Sequence, residues 1–216
     1  MFAYPKKAEF NRIVTKDIIY KKAKPSNAIK KRFVSEIREI VWQYKLSKDT
    51  INLLPRDGVT EIQVFQITLK APEPSRDVLR VIDKAIPYPI FYQLLYEDRH
   101  NHVTAYKQIS GNDADSCVVE EYFETGWADA TSPNLSLPVA LDLKSLYEQM
   151  MVFYIGLLLR ANESLKELME RAQKIRRKQR ELQVLEAKMK KEKQFKKKVD
   201  INAQIRNING ELANLL

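Results

Sequence analysis

Between Ser26 and Tyr44 the apolar residues recur at helical spacing: Ile29, Phe33, Ile37, Ile40, Val41 and Tyr44 share one stripe, and Lys30, Lys31, Arg32 and Arg38 lie mostly opposite. With Ser26 as N-cap, this spacing predicts an amphipathic helix over residues 26–44. The period then changes. Glu61 to Lys70 is rich in β-branched and aromatic residues, with Phe65, Ile67 and Leu69 on one face and Ile62 and Val64 on the other, which predicts a strand covered on both faces. After Pro72 and Pro74, Ser75 is placed to cap a short helix whose buried stripe is Val78, Leu79, Ile82 and Ile86, and Pro87 ends it. Strands are predicted from Tyr88 to Tyr96, His102 to Ile109 and Cys117 to Thr125, separated by a turn at Glu97 to Asn101 and a loop at Ser110 to Ser116 that contains Gly111 and Asn112. The order α, β, α, β, β, β predicts an α+β domain: a small, mostly antiparallel sheet with two packing helices, ending in an antiparallel meander. A right-handed βαβ crossover is expected between residues 61 and 96.

All nine prolines lie at or before Pro138, and the 78 residues of 139–216 contain none. Proline breaks helices, so this boundary predicts a domain over 1–138 and a long helical arm over 139–216. Leu141, Leu146, Met150, Phe153, Tyr154 and Leu157 form a stripe expected to dock on the domain. From Leu165 the spacing alternates three and four, through Leu168, Ala172, Ile175, Gln179, Leu182, Leu185 and Met189, as a coiled-coil seam does. Seven of the eleven residues from Lys188 to Lys198 are lysine, and a second stripe follows at Ile201, Ile205, Ile208, Leu212 and Leu215. At 100° per residue the two stripes face opposite ways. A break near Val199 and Asp200, with Asp200 as N-cap, lets them meet in a helical hairpin; a homodimer through an unbroken coiled coil is the alternative.

Composition narrows the class. With 216 residues and 44% apolar content the chain can bury a sizeable core, and its longest apolar run, Met150 to Leu159, is far short of the roughly 20 residues that cross a bilayer, so no membrane partner is expected. MFAYPKKAEF is unlike a secretory signal, and Cys117 is the only cysteine, so a reducing, cytoplasmic setting is expected. The net charge of +9 is unevenly spread: residues 1–48 hold 13 Lys or Arg against four acids, and 171–198 hold 13 against three. Two basic faces are therefore candidate polyanion contacts: Lys21, Lys22, Lys24, Lys30, Lys31 and Arg32, then Arg176, Arg177, Lys178 and Arg180. Plain solvated helix faces would show the same composition.

The opening MFAYPKKAEFNRIVTKDIIY, then IVWQYKLSKDTINL, EIQVFQITLK, IDKAIPYPIFYQLLYE, VTAYK and KEKQFKKKVDINAQI resemble successive blocks of a prokaryotic family catalogued as domain of unknown function four-three-nine-one. The likeness runs over nearly the whole chain. It implies neighbours of the helicase, DNA methyltransferase and restriction type, hence a protein partner of that kind, and it carries no catalytic residue.

Candidate chemistry is sparse. Tyr88, between two prolines, could join Phe91, Tyr92 and Tyr96 in a base-stacking platform, although an aromatic run in a strand is also ordinary core. His100 and His102 are expected in a solvated turn near Asp98, and Cys117 as a small strand residue. Asp113, Asp115, Glu120, Glu121, Glu124 and Asp129 form an acidic strip that could hold Mg²⁺. A restriction-type nuclease, however, needs a lysine where Glu61-Ile62-Gln63 has glutamine. Phosphate loops, nucleophile elbows and dinucleotide fingerprints are missing, so neither a cofactor nor a metal is expected. Three readings follow: a non-enzymatic accessory or assembly subunit of a DNA-processing system; a direct, largely sequence-independent nucleic-acid binder; and a divergent metal-dependent nuclease.

Overall fold

The computed structural model describes residues 2–109, 117–129 and 135–216, apart from the side chains at 108, 109, 117, 118 and 120. The loop expected at 110–116, with Asp113 and Asp115, lies outside the described residues. In chain order the elements are β1 (Phe2–Ala3), a 3-10 turn (Lys6–Ala8), β2 (Glu9–Ile13), α1 (Lys16–Ala23), α2 (Asn27–Glu36), β3 (Ile37–Ser47) and α3 (Lys48–Ile51). There follow β4 (Glu61–Leu69), α4 (Arg76–Ala85), β5 (Ile90–Tyr96), β6 (Arg99–Ile109), β7 (Cys117–Glu124), β8 (Ala128–Asp129) and β9 (Leu135–Ser136). Three helices end the chain: α5 (Leu143–Ile155), α6 (Leu165–Lys191) and α7 (Phe195–Leu215). The chain forms two compact units, Met1–Tyr154 and Ile155–Leu216.

The first unit is α+β, as expected, but its sheet is larger and mixed. Seven strands take part, in the order β2-β3-β4-β5-β6-β7, with β8 on β6. The β4 and β5 strands run parallel and α4 connects them, which is the expected βαβ unit, whereas every other described pair in this sheet is antiparallel. The meander β5–β6–β7 lies where the alternation placed it.

The helix expected over 26–44 is corrected. Ser26 does cap α2, its hydroxyl accepting from the Ile29 amide, but the helix stops at Glu36 and Ile37 turns into an extended backbone (φ −110°, ψ 125°). Residues 37–47 form β3, paired on both sides, with β2 and β4. Register shifts between Ile37 and Glu39 and between Trp42 and Tyr44 break strict alternation there, so the apolar positions mimic a helical stripe. A run of isoleucine, valine, tryptophan and tyrosine fits a strand that gains two partners better than an isolated helix.

One face of the sheet is covered by α1, α2 and α4, which supply Ile19, Phe33, Val78, Leu79 and Ile82 to a core with Phe65, Ile67, Tyr92 and Leu94. Ser75 caps α4 by accepting from the Asp77 amide at 3.2 Å. The opposite face takes α5: the Phe91 ring meets Tyr147 and Tyr154 at 6.1 and 5.2 Å, and Thr104 lies against Met151. Leu146, Met150 and Tyr154 are buried as expected, but Leu141 precedes the helix and is 91% exposed, and Phe153 is 42% exposed. The first unit therefore runs past Pro138 to take in most of α5.

The second unit is a helical hairpin. Ser164 and Glu167 form a capping box at the start of α6, and Ile175, Ile208 and Leu212 form a buried centre with Leu182, Leu185 and Leu215 against it. Leu165, Leu168, Ile201 and Ile205 are also buried, and Met189 is half-buried. The break expected at Val199 and Asp200 lies earlier, at 192–194, and Asp200 is inside α7. The carboxylate of Glu192 accepts from the amides of Lys193 and Gln194 at 2.8 and 2.9 Å, giving the chain a local exit from the helix within the lysine run, where like charges already weaken it. Arg171 ties the open end. It grips Glu163 with two bonds of 2.7 Å and donates to the carbonyls of Leu158 and Leu215, so a cation meets the C-terminus of α7.

Candidate functional site

A cleft of about 440 Å³ opens on the helical face of the sheet, where β4 begins. Strand periodicity puts Glu61, Gln63 and Phe65 on that face. Lys45 and Trp42 of β3 lie beside them, β2 and its exit supply Phe10, Arg12, Ile13 and Val14, α1 supplies Ile18 and Lys22, and the corner after α4 supplies Ile86, Pro87 and Tyr88. The volume is in the range of small-ligand sites.

Its polar centre is a carboxylate held from two sides. Lys45 Nζ lies 2.8 Å from Glu61 Oε2, and the Gln63 side-chain amide donates to Glu61 Oε1. An ionised carboxylate only accepts, so this bond fixes the Gln63 amide and leaves its Oε1 buried without a partner. Around this centre are aromatic walls: Trp42 lies 4.2 Å from Phe10 and 6.0 Å from Phe65, nearly parallel to the latter at 12°. The Trp42 indole N–H donates to the Tyr44 carbonyl at 2.9 Å, which sets its ring plane. Arg12 lies 4.4 Å over the Phe10 ring and Lys45 lies 6.0 Å from that of Trp42. Among the lining side chains three cations, Arg12, Lys22 and Lys45, face one acid, Glu61.

The structure distributes the sequence-predicted basic residues unevenly. Lys22 lines the cleft, while Lys21, Lys24 and Lys31 are exposed on or beside the same helices. Lys30 lies over the Tyr20 ring at 5.6 Å, and Arg32 is bound to Ser75 and Asp77 at the start of α4 at 2.9 and 3.0 Å. In the helical unit Arg177 and Arg180 are exposed, Arg176 is half-buried, and Lys178 is paired with Glu211 at 2.7 Å and Glu181 at 3.3 Å.

Of the two readings of the aromatic run, ordinary strand core holds for Phe91 and Tyr92. Phe91 and Tyr92 point to opposite faces of β5 and are fully buried, so only Tyr88 of that group reaches the cleft; Trp42, Phe65 and Phe10 are the aromatics that join it there. The histidines are corrected. Both are in β6, 8% and 5% exposed, with ring centroids 5.1 Å apart, and burial pushes the His102 imidazole down to about 4. In the acidic strip Glu124 is bound by Arg76 at 2.7 Å and Asn101 at 3.0 Å, and the Glu120 side chain is outside the described set. Among the described residues no group of three or more His, Cys, Asp and Glu side chains is placed to hold a metal ion.

One buried cluster had no sequence signal. Lys107 and Asp83, both with wholly buried side chains, form a 3.0 Å ion pair. The Lys107 ammonium also donates to the carbonyls of Ile86 and Tyr88, each at 2.7 Å, and so pins the corner that walls the cleft. Tyr122 donates to Asp83, and burial together with the Asp83 charge holds the Tyr122 and Tyr92 phenols well above their ordinary range. A lone lysine in a strand is usually exposed, so only its partners, 24 and 19 to 21 residues away in sequence, reveal this one.

A family model described as a domain of unknown function, DUF4391, matches residues 2–212. Comparisons with curated proteins and with solved structures return no match.

Proposed function

The chain belongs to the DUF4391 family, and on that premise we propose that it is a non-enzymatic subunit of a DNA-processing system, of restriction or phage-defence type, that binds nucleic acid directly through the cleft at the start of β4. One observation carries this reading: aromatic walls and three cations converge on one nucleotide-sized cleft. Phosphates are bound through lysine and arginine, and bases through aromatic faces, with little sequence preference. The exposed Lys21, Lys24 and Lys31 extend the positive surface beyond Lys22. The accessory role, with a helicase or methyltransferase subunit as protein partner, comes from the genomic setting the family resemblance implies. The helical unit is the candidate assembly element, and its exposed Val184, Phe195 and Val199 offer apolar contact.

The test is fluorescence anisotropy with a short labelled oligonucleotide over a salt series. Binding that weakens steeply with salt, and that falls when Arg12 and Lys22 are both changed to Ala, supports the reading; no binding at low salt overturns it. Copurification of a DNA-processing enzyme tests the accessory part separately.

A further inference from the structure

We propose that the cleft takes an unpaired base, read at its edge by Gln63 and Lys45. The inference rests on the nucleic-acid reading and adds to it which form of nucleic acid binds. Gln63 is 3% exposed and its Oε1 is an acceptor without a partner at the floor of the cleft. Lys45 Nζ spends one donor on Glu61 and keeps others, so the cleft is lined by a residue with an unused acceptor and one with unused donors, both anchored to the Glu61 carboxylate. One acceptor and one donor are what the Watson–Crick edge of any of the four bases calls for, since each carries a donor next to an acceptor.

In a duplex those edges are engaged with each other and stacked inside the helix. Only a splayed base brings its edge to a floor as buried as Gln63, in a cleft walled by Trp42 and Tyr88 and carrying Arg12 and Lys22 for its phosphates. A base seated there gives the orphaned Gln63 oxygen a donor and leaves Glu61 its two bonds. Because all four bases satisfy the pair, selectivity is for strandedness and not for sequence.

The experiment compares four probes on the wild-type chain at one low salt concentration: a single strand, the matching blunt duplex, that duplex with one bulged nucleotide, and the single strand with one abasic site in place of a base. Stacking of one base supports a preference of at least about tenfold for the single strand over the duplex, with the bulged duplex between them. Equal binding of single strand and blunt duplex overturns the inference and leaves direct binding standing. Absence of binding to every probe overturns both. Gln63→Met, of similar size, is expected to lose about tenfold on the single strand and nothing on the duplex. An unchanged single-strand affinity for a Gln63→Met protein that melts like the wild type would remove Gln63 from the role. If that variant does not fold, the four-probe comparison on the wild type still decides the main point.

Discussion

Replacing Lys107 by Met removes the buried cation that pairs with Asp83. The substitution keeps most of the stem but leaves Asp83 buried and uncompensated, and the Ile86 and Tyr88 carbonyls lose their donor. Breaking a buried ion pair from one side costs about 3–5 kcal/mol. That is a large share of the roughly 5–15 kcal/mol that stabilises a domain. At about 2–4 °C per kcal/mol for a chain of this size, the melting temperature should fall by about 6–20 °C. The double variant Asp83→Asn, Lys107→Met no longer buries a lone carboxylate, while the Asn oxygen still accepts from Tyr122, so it should recover at least half of that loss. The assay is thermal and urea unfolding of the four members of the cycle. A drop below about 3 °C for Lys107→Met, or a double variant no more stable than that single one, would show that the pair is not the fastening described. The same variants should bind oligonucleotide more weakly, because the freed corner at 86–88 is a wall of the cleft.

Other consequences are direct. His102, ordinarily near 6.5, is held at about 4 by burial, so it stays neutral in the folded chain and must lose that state to unfolding as acid is added. Its contribution is complete above about pH 6.5, fades as pH falls towards 4, and costs about 2 kcal/mol by pH 5; His102→Asn should flatten this part of a urea-unfolding series. Ile208→Ala, in the centre of the hairpin, should destabilise the helical unit by about 2–5 kcal/mol and lower helical ellipticity on mild heating before the first unit melts. Arg171→Met should let the Glu163 carboxyl, now held down at about 2 by the guanidinium, return to the usual carboxylate range, readable by NMR titration.

Legibility followed how local each cause was. The α4 helix was readable because its Ser75 cap and its Val78, Leu79, Ile82 stripe lie within one segment, as was the β5–β7 meander, where turn residues separate short apolar runs. The β3 strand is hidden in the sequence because Ile37, Ile40, Val41 and Tyr44 suit a helix until the two register shifts and the two flanking strands are known. The hairpin followed from the opposed stripes, but its break depended on the local bonds of Glu192, which no periodicity encodes. The cleft was the least legible part. It gathers β2, α1, β3, β4 and the α4–β5 corner, and of its lining only Lys22, the Glu61–Gln63 pair and the proline-flanked Tyr88 carry a functional reading in the sequence, while Phe65, Ile86 and Pro87 read there as fold residues. Lys45 and Trp42 are ordinary strand residues until β3 and β4 pair and bring Glu61 beside them.

Trp42 offers the most direct test, because it is a wall of the cleft and reports on whatever stacks there. With Trp127→Phe leaving Trp42 as the only indole, titration with a short single-stranded oligonucleotide at low salt should quench its emission saturably. The quenching should disappear at high salt and in the Arg12→Ala, Lys22→Ala variant. Emission that stays unchanged while anisotropy shows the oligonucleotide bound would place the contact elsewhere on the chain and contradict the assignment of the cleft.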